Sequence, residues 1–350
     1  MTGPTAALQI NTDCDSWLAV LLYLVPNIKK LDIEWGGSGT MHTERLFQRI
    51  VDKKWPSDET PMLSSPCEVH IHVPHCTGWD FDPQKLALFY RLRSMRTLKG
   101  NPVGEFDWPS QFLPPRSSLI EHLGFRDSGA EDGFKFLIAL CKNLKSFKYL
   151  HHEIAGLFME PPQYCDHFTP FRACNFTESL SFQKSTLESV IIGYIYPGDD
   201  YTPGSSGGIG SLSDYVMLKN LHLRLSNLLG LYVSDMYDWG VDTLVEELKN
   251  LVSVSEDRFP RLKTIEIEGN WEEWSKAEEE ERKRSRQACP EIAPLTDKEI
   301  HDKTAELQES CRKLDITFHV RLYHMEAWQR GKAEVEDADY WATLPSSTLG

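Results

Sequence analysis

Positive charge is in short supply in this sequence. Lys and Arg number 37 against 52 Asp and Glu, a formal net charge of −15. Sequence-independent binding of nucleic acid needs a basic stripe, and docking on anionic lipid needs a basic patch, so both are excluded as expectations. Long apolar runs are missing too. The longest, such as residues 18–25, fall well short of the roughly 20 residues that cross a bilayer. The opening MTGPTAALQINTDCD has neither the basic nor the apolar part of a signal peptide. Eight cysteines in 350 residues are too sparse for a disulfide framework, so a reducing, cytoplasmic or nuclear setting is expected. The usual marks of catalysis are absent as well. There is no nucleophile elbow, and no Ser/His/Asp or Cys/His set can be placed by spacing. An enzyme is not expected.

What is present is a short phrase that returns. In residues 215–225, YVMLKNLHLRL, the core is Leu218-x-x-Leu221-x-Leu223. The same spacing recurs as Ile28/Leu31/Ile33, Ile120/Leu123/Phe125, Leu144/Phe147/Tyr149, Leu187/Val190/Ile192 and Leu262/Ile265/Ile267. Led by a cysteine, it recurs again as Cys311/Leu314/Ile316. The last two apolar residues of each copy flank a polar one, and period two puts both on one face of a strand. This is the strand half of a leucine-rich repeat. One such strand cannot bury its apolar face alone. Stacked parallel strands can, and each apolar side chain fully removed from water contributes roughly 1.5–3 kcal/mol.

Parallel neighbours need crossovers, and helical spacing falls between the strands. Helices are expected near 13–23, 42–53, 84–95, 133–141, 241–252, 271–286 and 297–310. The first has an apolar stripe of Trp17, Leu18, Leu21, Leu22 and Val25, with Asp13 or Asp15 as its cap. Residues 68–73 alternate as a strand but fit the phrase poorly, and 151–176 read as irregular. The stretch 97–118 leaves its number of repeats open. The expected fold class is α/β: an irregular leucine-rich-repeat solenoid over 1–330, with parallel strands on the concave face and helices outside. A polar tail, 331–350, follows.

In a stacked solenoid the residues between and just after each apolar pair point out along the concave surface. Those positions are Asp32 and Glu34, Lys148, His222 and Arg224, then Glu266 and Glu268. Trp35 and Trp271 follow strands at the same edge and are the aromatic anchor candidates. The function this supports is non-catalytic binding of a protein partner.

Three further motifs have plainer readings. Cys67, His70, His72, His75 and Cys76 offer zinc-type donors, with His70 and His72 on one strand face. No second pair at fixed spacing accompanies them, so a polar strand face is the reading adopted, with no metal or other cofactor. Residues 204–210, GSSGGIG, lack the Lys-Ser/Thr of a phosphate loop and read as a surface loop. The run from Glu278 to Arg286 places acids before bases, as a solvated helix does. A metal-dependent or nucleotide-using enzyme is the alternative that the His/Cys cluster and the Gly-rich loop leave.

The phrases VLLYLVPNIKKLDIEW, IGSLSDYVMLKNLHLRLSNLLG and FPRLKTIEIEG resemble fungal F-box proteins with degenerate leucine-rich repeats. The resemblance runs from about residue 17 to 322. It implies that the repeats recruit a substrate protein to a cullin–RING ubiquitin ligase. The F-box, a three-helix module opened by a Leu-Pro phrase, has no match before Ile28. That departure argues against contact with the ligase linker protein, leaves the repeat half as the part resembled, and leaves a truncated paralogue with no partner as the alternative.

Overall fold

The computed structural model describes residues 6–8, 15–25, 27–35, 41–52, 67–72, 83–105, 113–130, 132–151, 173–194, 212, 214–224, 261–271, 305, 308–309, 311–313 and 315–324. Ten strands form one sheet in chain order. They are β1 (Ala6–Leu8), β2 (Lys30–Glu34), β3 (Glu68–His72), β4 (Thr97–Asn101), β5 (His122–Ser128), β6 (Ser146–His151), β7 (Ser189–Tyr194), β8 (Asn220–Arg224), β9 (Thr264–Trp271) and β10 (Thr317–His324). Every neighbouring pair is parallel. The crossovers carry α1 (Asp15–Leu24), α2 (Met41–Val51), α3 (Pro83–Tyr90), α4 (Lys135–Leu140) and α5 (Ala173–Leu180). The fold is an α/β leucine-rich-repeat solenoid, as the recurring phrase predicts. No helix of the described residues is long and apolar enough to cross a membrane.

The apolar pairs do the work the phrase assigns them. Leu31 and Ile33, Leu123 and Phe125, Phe147 and Tyr149, Val190 and Ile192, and Leu221 and Leu223 are all buried. They form one core with Leu22 of α1, Phe47 of α2, Phe89 of α3, Ile138 of α4 and Phe176 of α5. One backbone device repeats at the strand entries. The carbonyl of Lys29 accepts the N–H groups of Cys67 and Glu68. The carbonyls of Cys67, Arg96, Glu121, Lys145, Glu188 and Lys219 likewise each accept two consecutive N–H groups from the start of the next strand.

Several expectations are corrected. The stretch 97–118 does contain a repeat strand, β4. Its phrase is Met95-x-x-Leu98-x-Gly100, in which glycine replaces the last apolar residue. A Cβ at Gly100 would lie 2.4 Å from Val103 Cγ2 and 3.4 Å from the Phe125 ring, so those neighbours occupy the missing side chain's place. At the other end, Phe318 and Val320, not Leu314 and Ile316, lie opposite Ile265 and Ile267. Cys311 is instead a buried residue of a helical turn ahead of β10. Residues 173–176, read as irregular, open α5.

On α1 only Leu18 and Leu22 of the expected stripe are buried; Trp17 is 75 % exposed. Asp15 lies inside α1 and caps α2, accepting the His42 and Thr43 N–H groups at 2.6 and 3.0 Å. The expected helices at 241–252 and 271–286, the loop 204–210 and the tail lie outside the described residues, Trp271 excepted, which ends β9. Cys67, Cys141, Cys174 and Cys311 are not joined in disulfides.

At the entry to α4 the chain takes two left-handed residues in succession, Gly133 and Phe134, at φ 65° and 53°. Phe134 is held there by burial, its ring 4.5 Å from Phe125 and 5.7 Å from Tyr149. A Cβ at Gly133 would meet the backbone of Asn175 and Phe176 at 2.8 Å. Gly133→Ala is expected to cost about 2 kcal/mol or more in urea unfolding, from the left-handed backbone and the clash together. Gly193→Ala, whose Cβ would meet only the end of the Leu150 side chain at 3.0 Å, is expected to stay within about 1 kcal/mol of wild type.

Glu105 follows β4 and accepts the Asp132 N–H at 2.8 Å, just before α4. Burial pushes its carboxyl up to about 7, against the pull of backbone N–H groups at 132, 134 and 135. The folded chain therefore keeps this proton in the window from about 4.5 to 7, where the unfolded chain has lost it. The contribution is fully present below that window and lost as pH rises through it. Relative to wild type, Glu105→Gln should gain on the order of 1–3 kcal/mol between pH ~5 and ~8, read from urea midpoints at the two values.

Candidate functional site

The sheet face turned away from the helices is set by the same alternation that builds the core. Between Leu31 and Ile33 stands Asp32; between Val69 and Ile71, His70; between Leu221 and Leu223, His222. Parallel register then aligns these intervening residues across the sheet. Asp32 lies opposite His70, His70 opposite Lys99, and Lys99 opposite Gly124. Gly124 is followed by Lys148, Ile191, His222, Glu266 and His319. A second row, two residues earlier on the same face, runs Lys30, Glu68, Thr97, His122, Ser146, Ser189, Asn220 and Thr264.

Charge along this face is ordered: carboxylates toward both ends and cations in the middle. The cations Lys99, Arg126 and Lys148 are all buried, and so is His122 beside them. Lys99 Nζ lies 3.1 Å from Glu68 Oε1, which Lys30 also approaches at 3.2 Å. Burial raises the Glu68 carboxyl, but the charges of Lys99 and Lys30 outweigh it and hold the group below its ordinary value. Burial draws Lys99 down, with Glu68 partly restoring it, and burial also lowers His122. Along the entry edge, Lys145 pairs with Glu121 at 2.8 Å and Lys219 with Glu188 at 2.6 Å.

At the β2–β3 end, Asp32 faces two histidines. His72 Nε2 is 3.1 Å from Oδ1 and His70 Nδ1 is 3.6 Å from Oδ2. Burial opposes ionisation of Asp32, yet hydrogen bonds from His70 and His72 win and hold its carboxyl far below the usual range. Burial lowers His70, and the neighbouring His72 and Lys99 charges push the same way against Asp32. At the other end His222 Nδ1 is 3.6 Å from Glu266 Oε2.

The structure places the candidate residues as follows. Asp32, Glu34, His222 and Glu266 lie on strands and are partly exposed. Arg224 and Glu268 are register partners across β8 and β9, and Trp271 closes β9 opposite His324. Two candidates are corrected. Trp35 is only 2 % exposed and belongs to the core, stacked 6.2 Å from Phe47 with its edge to Phe89 at 6.0 Å. The strand ends at Glu34, and the next side chain turns under the sheet because two aromatic rings wait there. Lys148 is on the expected row but 4 % exposed, packed between strands that bring their own bulk alongside it.

Lys99, His122 and Arg126 were missed as face residues; His70 was read on a polar strand face but not among the binding candidates. The strands that hold Lys99 and His70 break the repeat phrase. The donor set read from 67–76 is also rearranged: His70 and His72 do share a face, but their companion is Asp32. Cys67 Sγ instead turns to the Lys29 carbonyl at 3.4 Å, and His75 and Cys76 lie outside the described residues.

A family model described as a leucine-rich repeat domain matches residues 13–248. No curated protein and no solved structure matches the chain. The matched span takes in β2 through β8 with the five helices of the described residues, and β9 and β10 continue the same parallel register past it. With well over half its length matched and every described strand in one sequential parallel sheet, this chain belongs to the leucine-rich repeat domain family.

Proposed function

We propose that the chain is a non-catalytic solenoid that receives a protein partner on the helix-free face of its sheet. Protein binding is the general work of leucine-rich repeat domains. The observation that carries the choice of face is the cross-strand row from Asp32 to Glu266, with partly exposed charge at both ends of a buried cationic middle. Charge arranged this way orients a partner and speeds its approach more than it tightens the complex. The proposed contacts are Asp32, Glu34, His222, Arg224, Glu266 and Glu268, with Trp271 as the aromatic anchor.

The finer reading is the substrate-recognition part of an F-box ubiquitin-ligase receptor of the fungal type, acting in the cytoplasm or nucleus. Its support is the likeness of the phrases around Ile28, Leu218 and Leu262 to that group. The test is affinity capture from native cell extract with wild type, Arg224→Glu and Glu266→Lys. A specific partner of the wild type should fall at least tenfold with each variant, at unchanged unfolding midpoints. Equal capture by all three proteins would count against this face. Cullin and linker protein recovered with the partner would support the ligase role, and a partner without them would remove that role alone.

A further inference from the structure

His70 and His72 are two residues apart on β3 and so project from one face, their ring centroids 3.7 Å apart. Asp32 on β2 is the register partner of His70. One donor atom from each of the three lies within 4.8 Å of the others. We propose that Asp32, His70 and His72 bind a divalent transition-metal ion of the zinc class, with a further coordination position left for water or a partner's side chain.

The distances fit. In a tetrahedral site with bonds of about 2.0–2.1 Å, neighbouring donor atoms lie about 3.3 Å apart. The Asp32 oxygens are already 3.1 and 3.6 Å from the two imidazole nitrogens. The three donor atoms together span up to 4.8 Å, so closing the set to about 3.3 Å takes a shift of about 1.5 Å, on the scale of side-chain rotation. The scaffold is firm: β2 and β3 pair over five consecutive residues, with β1 and β4 on either side.

Access is available, since the side chains of His72 and Asp32 are 38 and 30 % exposed while His70 anchors the set from within. Two imidazoles and one carboxylate select borderline divalent ions over calcium or magnesium, which favour all-oxygen cages. Lys99 and Lys30 add positive charge nearby, and Glu68 offsets part of it at 3.1 and 3.2 Å.

A hydrogen-bonded His–Asp–His cluster with no further role would take up no metal, which separates the two readings. The full chain, stripped by chelator, is titrated with zinc alone by calorimetry and with cobalt(II) by absorption. One equivalent should be lost, or weakened at least tenfold, in His72→Ala and in Asp32→Asn. His42→Ala, an exposed histidine on α2, should bind as wild type does. Both altered side chains are partly exposed, and unfolding midpoints verify that the variants fold. A readout without variants is the ring-nitrogen NMR signals of the wild type, of which two histidines' worth should move with zinc. Absence of uptake by wild type, or equal uptake by His72→Ala and Asp32→Asn, overturns the site. Neither result bears on the partner reading, whose variants are at Arg224 and Glu266.

Discussion

Each strand of this sheet begins where the preceding one lets it. The carbonyl just ahead of a strand accepts two N–H groups from the start of its successor, and the arrangement is passed on from Lys29 through Lys219. That acceptor fixes the first residue of each strand from β3 to β9. A slip of one residue would exchange Leu221 and Leu223 for His222 at the core, because side chains alternate with period two. Register is therefore the constraint on which everything else rests. The apolar pairs supply the energy for stacking, and the shared carbonyl decides which residues form the pair.

The face that the proposed partner meets is a by-product of the same constraint. Once the inner residues are in register, the outer ones have no choice of neighbour. Asp32 stands beside His70, and His222 beside Glu266, although tens of residues separate them in the chain. Close packing of strands also removes the middle cations from water, so Lys99 and Lys148 shape the field of the surface without being part of its accessible edge. Contact chemistry is left to the two flanks, where carboxylates and histidines retain solvent.

The sequence showed the strands wherever the phrase was intact. Ile28/Leu31/Ile33 through Leu262/Ile265/Ile267 read directly, because alternation is a local property. β4 was hidden because Gly100 yields its side-chain space to Val103 and Phe125, an arrangement made by residues on other segments. β10 was displaced because Ile316 and Cys311, buried but not in the strand, copy the spacing of a strand pair. Trp35 and Lys148 were placed correctly along the chain, yet their burial depends on Phe47, Phe89 and adjacent strands that spacing does not report. The Asp32–His70–His72 cluster has the same origin: the two histidines were visible as a pair, but their carboxylate arrives only through pairing of β2 with β3.

Sequential order has an evolutionary side. Since each strand touches only the one before and the one after, a connection can lengthen without asking anything of distant segments. Closing a longer loop costs little, about 0.6 kcal/mol per doubling of its length. The interval between equivalent positions already ranges from 24 residues, Leu123 to Phe147, to 53, Ile265 to Phe318, and every neighbouring pair of strands still pairs in parallel. Such a scaffold can acquire new loops one at a time, each open to selection by itself, while the spine beneath stays the same.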